Sequence, residues 1–279
     1  MPMIGTAHRT TANGTTIAWS ELGAGAPLVL VHGIGASHRT FRLLAPALAE
    51  HFHVYMLDLP GHGLSERPEA PYTLPWYADT VAAWMDAIGL PSAHFCGHSF
   101  GGGVAQWMLV DHAERVDRLA LLAAGGLGRE VTAALRLAST PLAAPLLESR
   151  LFGTVIKHAM RWVSRRLDPA EHDEIERLAR LSAVPNSGRA FRRTVSGCIG
   201  LRGQRVQTWD HISKIPSLPP LAVFWGGRDE VIPVEHAHET ARRIENLALT
   251  IYPDCGHFPH LQEAERLARD VTRFFLDPE

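Results

Sequence analysis

Short apolar runs alternate with amphipathic stretches along the first part of the chain. Leu28-Val29-Leu30-Val31 is continuously apolar and stops at His32-Gly33, which predicts a strand buried on both faces. Residues 54–57, 93–96 and 119–123 repeat that signature, and helical spacing fills 40–50, 76–88 and 99–112 between them. Apolar strands separated by helices predict an α/β fold, a mostly parallel, doubly wound sheet covered on both sides.

After Gly125-Gly126 the pattern changes. Residues 127–214 hold no convincing strand, only helical periodicity interrupted by prolines and glycines. Leu151, Val155, Ala159 and Trp162 recur at helical spacing. Asp168-Pro169 with Glu171 supplies the cap, first-turn proline and third-position acid of a helix start. Strands at 221–225 and 247–252, with helices at 234–244 and 262–276, then resume the alternation. The expected organisation is a core of residues 1–126 and 215–279 interrupted by a helical insertion at 127–214, which would form a cap.

Composition narrows the function classes. A chain of 279 residues, 46% apolar, is long enough for one large core with such an insertion. The net charge of −2 gives no reason to expect a nucleic-acid partner. No apolar run reaches the roughly 18 residues of a membrane-spanning helix, and residues 1–10 lack the apolar core of a secretory signal. A cytoplasmic location is the expectation. Three cysteines, Cys96, Cys198 and Cys255, are too few and too scattered for a disulfide framework or a thiolate zinc site. The 16 histidines are dispersed, and His236 and His238 lack a third ligand, so no metal is expected.

The small net charge conceals an asymmetry. Residues 127–214 carry 15 Lys and Arg against 8 Asp and Glu, whereas the rest of the chain carries 12 against 21. Lys157, Arg161 and Arg165 fall at i, i+4 and i+8, a basic stripe on one predicted helix face. One reading is attraction of an anionic substrate or an anionic lipid surface. The other is a solvated face that also docks on the acidic core.

The chemistry centres on Gly97-His98-Ser99-Phe100-Gly101, set between a predicted strand and a predicted helix. A sharp turn there lifts the serine hydroxyl above the sheet edge, and flanking glycines let strand and helix approach closely. A glycine-rich turn with an N-cap serine would satisfy the short motif alone. A nucleophilic serine, however, needs a base and a group to orient that base, downstream in the order acid, then histidine. Asp229 follows the strand ending Trp225-Gly226, and His257 follows the next strand. Both strand ends point to the carboxyl edge of the sheet, where open α/β folds bind ligands. His32-Gly33-Ile34-Gly35 occupies the place from which an oxyanion hole draws one backbone N–H, from Ile34, with the other from Phe100. The His32 side chain is expected to brace that loop.

With these residues the chain resembles an α/β-hydrolase-fold serine hydrolase over nearly its whole length outside the insertion. Asp58-Leu-Pro-Gly-His-Gly63-Leu-Ser65 matches a further loop typical of that superfamily. Residues 93–102 are similar to carboxylesterases, enol-lactonases and carbon–carbon bond hydrolases of aromatic degradation. The resemblance implies a Ser99–His257–Asp229 triad, no cofactor, and cleavage of a small-molecule carboxylic ester or lactone through an acyl-enzyme. Alternatives within the fold are carbon–carbon hydrolysis of a meta-cleavage-type diketone, acyl transfer, or perhydrolysis, the last on the Gly101–Gly103 run. A slow or inactive ligand-binding homologue is a further alternative. Carbon–carbon hydrolases of that group usually carry Asn before the nucleophile and Trp after the histidine, where this chain has His98 and Phe258. Ser99 itself counts against epoxide hydrolases and haloalkane dehalogenases, whose nucleophile is aspartate. Met160, Trp162 and Phe191 of the insertion, with His98 and Phe258, are candidates for the substrate pocket. His260 and Glu130 are reserve candidates for base and acid, and Cys255 reads as a packing residue.

Overall fold

A computed structural model describes residues 4–149 and 169–277. The expected core sheet is present and larger than the sequence pattern suggested. Its eight strands are β1 (Thr6–Ala12), β2 (Thr15–Leu22), β3 (Ala26–Val31), β4 (Phe52–Leu57), β5 (Ala93–His98), β6 (Val116–Leu122), β9 (Leu221–Gly226) and β10 (Ala248–Tyr252). They run in the order β1-β2-β4-β3-β5-β6-β9-β10. β2 meets both β1 and β4 antiparallel, and every pairing from β4 to β10 is parallel.

β3 shows why the sheet is covered twice. Val29 and Val31 pack into one apolar cluster, Leu28 and Leu30 into the other, and all four are inaccessible to solvent. The Leu74–Ala87 and Phe100–Asp111 helices cover the first face. Phe41, Leu44 and Leu48 cover the second together with the Ala264–Leu276 helix, whose Leu267, Val271 and Phe275 point inward. β3 therefore reads as an unbroken apolar run from Leu28 to Val31.

Two expectations need correction. Residues 40–50 are not one helix but a 3₁₀ turn, His38–Phe41, and a single α-turn, Ala45–Leu48. Pro46 lacks the amide that would bond Arg42, and its ring crowds that carbonyl, so a continuous helix stops there. The strandless reading of 127–214 also fails at one point. β7 (Ile199–Gly200) and β8 (Gly203–Gln204) form a small antiparallel hairpin, too short to leave a periodicity.

β6 and β9 are neighbours in the sheet, and among the described residues between them none joins it. The described part of this excursion includes the helices Ala133–Ala138, Pro169–Ser182 and Ser187–Cys198. The second described stretch opens with the expected helix, already in place at Pro169, and its Asp168 cap lies outside the described residues with Val155 and Ala159. Leu151, Phe152, Lys157, Met160, Arg161, Trp162 and Arg165 lie outside the described residues.

Charge fixes the excursion to the core in both senses. Arg189 and Arg193 pair with Glu69 of the core at 2.8 and 2.6 Å, the sense expected from composition. The buried contact runs the other way. Glu174, fully buried, accepts from the core residue Arg42 at 2.7 Å and from Arg177 at 3.0 Å, and Arg177 also donates to Ser37 Oγ at 3.1 Å. Removing one partner of a buried ion pair leaves the other charge uncompensated, at a cost of about 3 kcal/mol. Glu174→Ala is therefore expected to lower the thermal unfolding midpoint by several degrees and to expose the 169–198 helices to limited proteolysis. An unchanged midpoint and cleavage pattern would show that Glu174 does not hold the two parts together.

Among the described residues, no helix is long and apolar enough to cross a membrane.

Candidate active site

Ser99 stands at the turn between β5 and the Phe100–Asp111 helix with φ 53 and ψ −120. An L residue adopts that conformation only under constraint. The constraint is visible: the Ser99 amide donates to Leu122 O and its carbonyl accepts from Gly125 N, each at 2.9 Å. The helix is drawn so close to the sheet that a Cβ on Gly101 would sit 2.1 Å from Val31 O. Glycine is required there because the backbone occupies the space of a side chain.

The acid and the histidine come from the next strand ends. Gly227 N donates to Tyr252 O at 2.8 Å and Arg228 N to Cys255 O at 2.9 Å, which zips the loop after β9 onto the loop after β10. Gly226 permits this contact, since a Cβ there would meet Gly256 O at 2.0 Å. Asp229 Oδ1 accepts from the amides of Val231 and Ile232 at 2.8 and 2.9 Å, so its orientation is fixed by its own turn. Its other oxygen, Oδ2, lies 2.8 Å from His257 Nδ1, and the carboxylate has no solvent exposure. A carboxylate only accepts, so Nδ1 carries the proton and Nε2 presents its lone pair. That lone pair faces Ser99 Oγ at 3.0 Å. The three residues expected to act together are thus joined by hydrogen bonds in the order Ser99, His257, Asp229.

Ile34 and Phe100 border the same cavity as Ser99, with Val131, Ile199 and Ile232 forming apolar walls. Among the described residues no hydrogen bond engages the amide of either Ile34 or Phe100. His32 braces the loop as expected. Its Nε2 accepts from Leu59 N at 3.0 Å and its Nδ1 donates to Gly33 O at 2.7 Å, in full burial that lowers its pKa.

The pocket candidates divide. Phe191 lines a second cavity with Ile34, Gly35, Leu178 and Leu181, and Ile34 borders both this cavity and the one at Ser99. Met160 and Trp162 lie outside the described residues. Phe258 packs on the rings of His98, His257 and His260, with centroids 5.4 to 6.0 Å apart. His98 is not a pocket residue. It is 2% exposed, and its Nε2–H donates to His257 O at 2.8 Å, behind the histidine and not in front of the serine. Its side chain leaves β5 on the sheet face opposite the turn apex, a direction that the alternation along a strand dictates.

The reserve candidates are also placed. His260 is fully buried, bonded to Thr40 Oγ1 at 2.9 Å and packed 4.3 Å from the His98 ring. Burial first, and then the neighbouring His257 and Arg42, push its pKa down to about 3. Burial and the same histidines likewise hold His98 well below the usual imidazole range. Glu130 pairs with His236 at 2.9 Å, away from Ser99. Cys255 is a packing residue as expected, 1% exposed, with its thiol 3.0 Å from Gln262 Oε1. Among the described residues no cluster of His, Cys, Asp or Glu could hold a metal ion.

Asp58 was seen in the sequence only as the head of a family-typical loop, and its structural role was missed. Its fully buried carboxylate takes the His38 amide at 2.6 Å and the Leu64 amide at 2.7 Å, and so folds the loop that borders the second cavity. Burial alone would raise its pKa, but the hydrogen bond and charge of His38 hold it below the ordinary carboxylate value. The sequence signal for that role was a lone acid between apolar Leu57 and Leu59 at the head of this glycine-rich loop.

A strained serine on a strand–turn–helix elbow, beyond the carboxyl edge of a sheet with this order, defines the architecture of the α/β hydrolases. Residues 26–264 match the family of the alpha/beta hydrolase fold, and the chain belongs to it as an enzyme of the hydrolase class. It is 32% identical over 271 residues to an uncharacterized protein of Mycobacterium tuberculosis, covering 95% of this chain and 79% of that one. It is 28% identical over 270 residues to the 2-hydroxymuconate semialdehyde hydrolase of Pseudomonas sp. strain CF600, covering 92% of this chain and 89% of that protein. Its fold overlays that of the enol-lactonase from Burkholderia xenovorans LB400 with a TM-score of 0.79 at 20% identity, across 97% of this chain and 100% of the other.

Proposed function

We propose that this protein cleaves a small carboxylic ester or lactone through an acyl-enzyme formed on Ser99. The observation that carries the reading is the unbroken line from Ser99 Oγ through the His257 ring to Asp229, at 3.0 and 2.8 Å. Ser99 Oγ attacks the substrate carbonyl as His257 Nε2 takes its proton. Asp229 fixes the Nδ1–H tautomer and stabilises the imidazolium that results. The negative charge on the tetrahedral oxygen falls to the Ile34 and Phe100 amides, which flank the serine in the same cavity. The imidazolium returns its proton to the leaving alcohol, and the same base then activates water against the acyl-enzyme.

In this reading residues 127–214 act as a cap, since Val131, Ile199 and Val206 wall the cavity over Ser99 and Leu178, Leu181 and Phe191 wall the neighbouring one. Phe191 is then a pocket residue. Carbon–carbon hydrolysis is the second reading, favoured by the 28% identical 2-hydroxymuconate semialdehyde hydrolase. His98 and Phe258, in place of the Asn and Trp usual in that group, weigh against it.

A fluorophosphonate probe tests for an activated serine. Stoichiometric labelling of the native protein at Ser99, lost on treatment at the same pH with Ser99→Ala, is the expected outcome. Turnover of aryl, alkyl and lactone esters beside a vinylogous diketone then separates the two reactions. No labelling of the native protein would remove the acyl-enzyme proposal, and turnover of the diketone alone would replace ester cleavage by carbon–carbon cleavage.

A further inference from the structure

The excursion between β6 and β9 leaves an apolar face open to solvent. Between positions 131 and 147 the only charged residue is Arg136. Leu137 in the first helix of this stretch is 64% exposed, and Leu142 in the following turn is 91% exposed. A third leucine, Leu201 at the tip of the β7–β8 hairpin, is 65% exposed. These positions are neighbours in space. Thr140 and Pro141 line one side of a cleft whose other side is Leu201 and Arg202. Leu142 follows Pro141, and Leu137 sits one turn earlier, its carbonyl accepting from Thr140 N at 3.1 Å. Scattered single leucines on a surface are ordinary, but a contiguous set on adjoining turns and a hairpin tip marks a contact surface.

The rim of the face is cationic. Arg136, Arg202 and Arg205 are exposed around it, and no carboxylate lines the shared cleft among the described residues. The two acids nearest in sequence are engaged elsewhere, Glu130 with His236 and Glu148 with Arg192. A two-fold contact with a second copy would set this face against itself and bring like-charged arginines together. An anionic partner with an apolar interior complements both features. We propose that this face docks on an anionic phospholipid bilayer, with Leu137, Leu142 and Leu201 entering the interfacial region and Arg136 and Arg202 meeting lipid phosphates.

Vesicle sedimentation with the full chain tests the proposal. Partition into vesicles of equal phosphatidylcholine and phosphatidylglycerol is expected to exceed that into pure phosphatidylcholine by at least about tenfold, and to collapse in high salt, where charges are screened. Leu142→Asp with Leu201→Asp should abolish binding while leaving the thermal unfolding midpoint and the solution mass unchanged. Arg136→Gln with Arg202→Gln, both at exposed positions, should remove the preference for the anionic vesicles even if the aspartate pair compromises folding. Equal partition of the native protein into both vesicles, or into neither, would overturn the proposal. So would a native dimer that Leu142→Asp splits, since the face would then belong to a second copy.

Discussion

Ser99→Ala is expected to lower kcat/KM for any ester substrate by roughly 10⁴- to 10⁶-fold, with little change in substrate binding. The size follows from what the hydroxyl does. It lies 3.0 Å from the free lone pair of His257, whereas the other nucleophile type lining the cavity among the described residues, the Cys198 thiol, has its pKa pushed up to about 12 by burial and stays protonated. The variant should fold as the native protein does. Alanine at φ 53 meets the same backbone strain as serine, and the hydrogen bonds that hold the turn, to Leu122 and from Gly125, are made by the main chain. The loss is therefore chemical, and steady-state kinetics with an unchanged unfolding midpoint would show it. His257→Gln should cost about as much, and the double variant little more than either single one, because groups that act as one unit are not additive. A loss below tenfold for Ser99→Ala would mean that water is activated elsewhere and that no acyl-enzyme forms.

The central sheet was legible because both of its faces are buried. β3 to β6 and β9 carry buried apolar residues on both sides, so each shows an apolar run, and the edge strand β10 still sets Leu249 and Ile251 on one face and Tyr252 on the other. The N-terminal hairpin was not legible for the opposite reason. β1 is an edge strand, and its side chains Thr6, His8, Arg9 and Thr10 are polar because solvent reaches them. A usable signal was present in Asn13-Gly14, whose φ values of 47 and 68 make the two-residue turn joining β1 to β2. Within the site, the three hydrogen-bonded residues were readable from their order behind strands. His98 was misassigned because adjacency to a nucleophile in sequence means the opposite direction in space on a strand. His260 was held as a spare base, yet its burial against Thr40 and His98 makes it part of the support behind His257.

That support suggests how the site keeps its histidine in one place. His98 grips the His257 carbonyl, Gln262 Oε1 takes the Gly256 amide at 2.8 Å, and Asp229 takes the imidazole Nδ1–H. The loop after β10 is thus fixed on its backbone and on its side chain by separate partners. Precise placement of this kind matters because a misplacement near 1 Å costs rate on the order of 10²-fold.

The same burial exposes the fold to acid. His62 and His260 are fully buried, and desolvation before any other cause pushes each pKa from 6.5 down to about 3. His62 Nδ1 donates to Pro60 O at 2.9 Å, while its Nε2 is buried without a partner and has no means of accommodating a second proton. In the unfolded chain both rings protonate as pH falls through 6.5; in the folded chain they stay neutral until about 3. Between those limits the unfolded state binds more protons, so stability decreases as pH falls, by about 1.4 kcal/mol per unit for each histidine. At pH 4.5 the two together cost about 5 kcal/mol, the scale of the whole folding free energy of a typical domain. Asp58, held below the ordinary carboxylate value, adds its loss only at still lower pH, so the histidines own the window above 4.5. Urea unfolding is expected to show a midpoint that drops steeply between pH 6.5 and 4.5, and His62→Gln should flatten that slope by the share of one ring, since His98 and His32, also held below 6.5 by burial, contribute to the rest. A midpoint constant across this window would mean that both rings reach solvent and protonate in the folded protein.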